Sequence, residues 1–176
     1  MKTSLQTPAA AHSSATIGNN QPAASFLQAA WLQPLRSAYA LLVATLNAAQ
    51  PLAALLARLY VAQVFFSSGL TKLRDWGTTV ALFTDEYKVP LLSPELAAAM
   101  GTAGEIALPI LLVLGLGGRF AALGLFVVNF VAVISLMEIA PAAFQQHITW
   151  GVLLATLAIY GPGKWSFDAL LQRRLK

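Results

Sequence analysis

"GTAGEIALPILLVLGLGGRFAALGL", Gly101 to Leu125, decides the fold. It is apolar up to Leu114 apart from Thr102 and Glu105, breaks at "GLGGR" (Gly115 to Arg119), and is apolar again afterwards. An apolar run that stops at a glycine turn and restarts without period-two alternation reads as two helices joined by a tight turn. Upstream, Ser93 can cap the first of these helices, Pro94 suits its first position, and Glu95 complements its dipole. That helix is expected over about Pro94 to Leu114 and the next over Arg119 to about Glu138. Each is near the ~20 residues that span a bilayer.

The rest of the chain agrees with a membrane setting. Of 176 residues, 57% are hydrophobic and 10% charged, where soluble domains carry about a quarter charged. Two more apolar runs complete the pattern, Pro51 to about Leu70 and about Ala142 to Tyr160, the latter ended by "GPG" at Gly161 to Gly163. The expected fold class is all-α: a polytopic four-helix membrane bundle over 51–171, with a basic tail at 172–176. Between the first two spans, "WGTTVALFTDEY" is a candidate short helix. Residues 1–33 lack apolar periodicity and are rich in Ala, Ser, Thr, Gln and Asn, so a disordered tail is expected there, without a secretory signal. Pro34 and Pro51 bracket "PLRSAYALLVATLNAAQ", as for two separate helix starts. At about 16 residues, 34–50 reads as an interfacial helix, with a fifth span as the alternative.

Lysine and arginine positions set the orientation. Lys2, Arg36, Arg58, Arg119, Lys164, Arg173, Arg174 and Lys176 fall on one side, and Lys72, Arg74 and Lys88 on the other. This bias places both termini in the cytoplasm and the protein in a bacterial inner membrane. The partners expected are the lipid bilayer and membrane or redox proteins. The +4 net charge is too scattered for a nucleic-acid surface. With no cysteine, disulfides, thiolate chemistry and iron–sulfur clusters are excluded.

Glu105 is the residue that needs explaining. A charged group at mid-bilayer costs about 2.5–3.5 kcal/mol on insertion scales, so it must face the bundle interior, be paired, or be protonated. Pro109 has no N–H and leaves the carbonyl of Glu105 without its helical partner. A kink at Pro109 would therefore bring a free acceptor and a carboxyl together. Gly101 and Gly104 let another helix approach closely. Arg58, Asn129, Lys72 and His147 are the other candidate members of a buried polar site. By depth, Arg58 is the expected partner of Glu105, with Lys72 at the external interface. Such a pair can equally serve only to set helix register. A bis-histidine haem is excluded, because His12 lies in the tail and leaves His147 alone. No P-loop, HExxH or nucleophile elbow occurs, and no catalytic set is complete. Met100, Met137 and His147 are a minor alternative as copper(I) ligands.

The segments "LLARLYVAQVFFSSGLTKL", "GTAGEIALPILLVLGLGGRFAALGL" and "HITWGVLLATLAIYGPGKWSFDALL" together resemble the DoxX family of small bacterial membrane proteins. The resemblance covers about Ala53 to Leu171 and leaves the first fifty residues outside. The family's buried Arg, outer Lys, mid-helix Glu and post-turn Arg match Arg58, Lys72, Glu105 and Arg119. "FTDEYKVPLLSPELAA" resembles a branch linked with copper-responsive systems. The resemblance implies a membrane accessory subunit of a quinone-linked redox system, with quinone as the implied cofactor. The alternatives are a non-catalytic anchor or assembly partner, and a bundle admitting a small solute.

Overall fold

The computed structural model describes residues 32–175; residues 1–31 of the tail expected at 1–33, and Lys176, lie outside them. The described residues hold six helices: α1 Gln33–Arg74, α2 Trp76–Asp85, α3 Pro94–Leu114, α4 Gly118–Ser135, α5 Pro141–Tyr160 and α6 Phe167–Arg174. Four of them, α1, α3, α4 and α5, are long and apolar enough to cross a membrane. The fold is an all-α, polytopic membrane four-helix bundle.

By internal contacts the chain divides into two units, Met1–Ala44 and Thr45–Lys176. The described part of the first is the opening of α1, where Leu35, Tyr39, Leu41 and Leu42 are exposed. The second holds the rest. One expectation is corrected here. Pro51 does not start a new helix; it lies inside α1, which runs without a break from Gln33 to Arg74. Proline's φ is already helical, so its cost is one lost hydrogen bond plus the crowding of its ring. The surrounding "ALLVATLNAAQPLAALLA" is dominated by strong helix formers that outweigh a single missing bond.

The ends of α3 behave as the sequence suggests. Ser93 Oγ accepts from the Leu96 N–H, Pro94 opens the helix, and Gly115 closes it in the left-handed conformation with φ 66°. Asp168 then ties the turn down. Its carboxylate accepts from the N–H groups of Gly117 (2.9 Å) and Gly118 (2.8 Å), where α4 begins. An anion there satisfies two orphan donors and meets the positive end of the helix dipole. Asp168 N–H donates back to Gly115 O at 3.0 Å.

The core of the bundle gathers Val61 and Phe65 of α1, Leu112 of α3, Ala121, Ala122 and Leu125 of α4, and Leu154 and Leu157 of α5. Close approach between helices depends on small residues, as expected where lipid removes the hydrophobic drive between helices. A Cβ on Gly124 would stand 2.8 Å from Leu108 Cδ1, and one on Gly69 would stand 2.9 Å from Ile106 Cδ1. A second apolar cluster, Phe83, Ala97 and Ala98, seats α2 on the start of α3. Thr79 Oγ1 fastens α2 to the end of α1 by donating to Lys72 O at 2.8 Å.

Candidate functional site

Gly69 sets the level at which α1 meets α3. A Cβ there would lie 3.1 Å from Glu105 Cβ, so the two backbones run in near contact at this point. Lys72, one turn further along α1, reaches the Glu105 carboxylate. Its Nζ donates to Glu105 Oε2 at 2.6 Å and to Ser68 Oγ at 2.8 Å. The side chains are 15% and 10% exposed, so the ion pair is largely desolvated. The expected partner, Arg58, is corrected by this register. Eleven residues of helix separate Arg58 from Gly69, about 16 Å at 1.5 Å per residue. Arg58 belongs to the other end of α3, where it is fully buried. Its guanidinium donates to Val113 O and Trp165 O, which pins the end of α3 to the segment before α6. A cation among the terminal carbonyls of a helix is favourably placed.

Lys72 and Glu105 line a cavity of about 200 Å³. Phe83 comes from α2, Tyr87, Val89 and Leu92 from the connection to α3, Met100 and Gly101 from α3, and Val127, Val131 and Ser135 from α4. The connection is held over the end of α4, since Lys88 N–H donates to Ser135 O at 2.8 Å and Tyr87 forms an antiparallel bridge with Leu136. Phe83 and Tyr87 stack with ring centroids 5.0 Å apart. Burial, and after it the charges of Glu105 and Glu86, raise the Tyr87 phenol above the usual tyrosine range. Met100 and Val127 line the same cavity yet are 57% and 51% exposed on spanning helices. The cavity therefore has walls on the surface that faces lipid.

Ser135 behaves unlike most helical threonines among the described residues. Thr71, Thr84, Thr149 and Thr156 each donate to the carbonyl four residues back, the ordinary outlet for a hydroxyl on a helix. Ser135 Oγ is buried and has no hydrogen-bond partner among the described residues. Thr102 Oγ1 shares that condition but does not line the cavity.

The remaining expected site residues separate. Asn129 and His147 form their own pair between α4 and α5. Asn129 Nδ2 donates to His147 O at 3.0 Å, and its Oδ1 lies 2.8 Å from His147 Nδ1. This amide orientation makes Nδ1 the protonated nitrogen, which leaves Nε2 as an acceptor. The ring meets Trp150 edge-on at 5.0 Å. Pro109 is buried within a continuous α3. Met100 sits at the cavity, and Met137 is exposed beyond the end of α4. One presumed polar site is thus three: Lys72–Glu105, Asn129–His147 and Arg58. Phe83, Tyr87 and Ser135 were missed as site residues. The first two carry a weak signal, aromatics four apart on one face of "FTDEY"; Ser135 is a lone serine in an apolar run.

Residues 53–138 match the DoxX family model. Over that segment the chain is similar to the DoxX family. The matched segment holds every residue named at the Lys72–Glu105 cavity, while His147, Trp165 and Asp168 lie beyond it. An uncharacterized protein of Haemophilus influenzae is 28% identical over 128 residues, 68% of this chain and 83% of its own length. No solved structure matches the chain.

Proposed function

We propose that this DoxX-like protein binds the head of a membrane quinone in the Lys72–Glu105 cavity and serves as a membrane accessory subunit of a quinone-linked redox system. The observation that carries this reading is the combination of a desolvated ion pair with lipid-facing walls at Met100 and Val127 in one cavity. A ligand that arrives through the bilayer needs a lateral opening and an apolar lining, and its polar head needs a donor and an acceptor inside. Lys72 supplies the donor and Glu105 the acceptor, and the Phe83–Tyr87 stack offers a flat wall to a ring. The lysine and arginine distribution favours an inner-membrane protein with both termini in the cytoplasm, which places the cavity toward the outer leaflet.

The test is purification from native membranes in mild detergent, followed by solvent extraction and mass spectrometry for quinones. Wild type carries quinone, whereas Met100→Trp, which fills the lateral wall, and Glu105→Gln, which removes the anion, lose most of it. Quinone absent from wild type, or present equally in all three, overturns the reading. A partner protein retained by all three with no quinone points instead to an anchoring or assembly role.

A further inference from the structure

We infer that Ser135 is a second hydrogen-bonding post in the cavity, and that it makes the site selective for a ring bearing an oxygen at each end. The inference rests on the quinone reading above and assigns a role to a residue which that reading does not use. Ser135 is 2% exposed, its Oγ has no partner among the described residues, and it lines the cavity. A buried hydroxyl left without a partner costs about 1–3 kcal/mol. The usual escape, the carbonyl one turn back, is used by Thr71, Thr79, Thr84, Thr149 and Thr156 and not by Ser135. The hydroxyl is therefore held ready for a group that enters the cavity.

The chemistry of the two posts defines that group. Ser135 stands on α4, apart from the ion pair that joins α1 to α3. A hydroxyl both donates and accepts. The ion pair does the same with two groups, the Lys72 ammonium as donor and the Glu105 carboxylate as acceptor. A quinone presents two carbonyl acceptors across its ring, and the quinol presents two hydroxyls. Each form finds a complementary atom at both posts, so the cavity holds either without leaving a polar group unpaired. A ring with a single oxygen would satisfy the ion pair and leave Ser135 as it is.

The experiment titrates the full chain in mild detergent with a short-tailed benzoquinone and with a cyclohexenone bearing the same tail, read by calorimetry. Ser135→Ala weakens the dione about fivefold, the size of one net hydrogen bond, and leaves the mono-ketone unchanged. Ser135→Thr restores dione binding. The ligand-free Ser135→Ala protein melts at or above the wild-type temperature, because an unpaired buried hydroxyl has been removed. Equal dione affinity in wild type and Ser135→Ala overturns the inference while leaving the quinone reading intact. A lower melting temperature for ligand-free Ser135→Ala also overturns it, since the hydroxyl would then already have a partner. If wild type binds neither compound, the quinone reading itself fails and this inference falls with it.

Discussion

The Lys72–Glu105 pair should behave as a coupled unit, and a double-mutant cycle measures the coupling. Lys72→Met leaves a carboxylate that is 10% exposed and has lost the ammonium 2.6 Å away. Breaking a buried pair from one side costs about 3–5 kcal/mol, because the remaining charge is uncompensated. The pair keeps some exposure, so the lower end, about 3 kcal/mol, is expected. Glu105→Gln should cost less, about 2 kcal/mol. Lys72 keeps its bond to Ser68 Oγ and sits within three residues of the end of α1, where a flexible lysine can turn toward water. Removing both charges with Lys72→Met/Glu105→Gln leaves no bare ion, and about 1–2 kcal/mol of lost packing and hydrogen bonding is expected. The singles sum to about 5 kcal/mol, so the coupling is about 3–4 kcal/mol, far above the ~0.5 kcal/mol scatter of independent sites. The assay is equilibrium unfolding in mixed micelles, followed by far-ultraviolet circular dichroism at fixed pH. A double mutant whose loss equals the sum of the singles would refute the claim that the two charges act on each other.

Three further outcomes follow from the same geometry. Gly69→Val should destabilise by about 1–3 kcal/mol, as overpacking does, because its Cβ would meet Ile106 Cδ1 at 2.9 Å and Glu105 Cβ at 3.1 Å; an unchanged melting temperature would show that α1 and α3 are not in close contact there. Asp168→Ala should cost about 1–3 kcal/mol, since two N–H groups at the start of α4 lose a charged acceptor, and hydrogen exchange at Gly117 and Gly118 should rise. Asp75 caps α2 and is held below the usual aspartate value first by the Thr78 hydroxyl and then by the Thr78 N–H. With its folded value depressed, its contribution is complete above about pH 4, the ordinary aspartate value, and fades as pH falls below it. Protection factors in α2, which divide out the intrinsic pH dependence of amide exchange, should therefore fall on acidification in wild type and stay constant over that range in Asp75→Asn.

The sequence by itself carries the membrane class, the number of spans and most of the helix ends. These are local properties: apolar run length against bilayer thickness, the Ser93 and Pro94 start, the left-handed glycine at Gly115, and the short helix in "WGTTVALFTDEY". The Pro51 expectation missed because one proline's cost was not weighed against the helix propensity on both sides of it. What only the tertiary structure decided was who meets whom. Counting residues from helix ends ranked Arg58 as the partner of Glu105. The level at which two helices face each other is instead set where their backbones touch, and Gly69 moves that point to Lys72. The same is true of the cavity. It exists because the connection after α2 folds back onto the end of α4 through Lys88 and Ser135, a contact 47 residues apart in sequence. No periodicity or composition encodes a long-range contact of that kind, so the site's most telling atom, the unpartnered Ser135 hydroxyl, becomes visible only once the helices are packed.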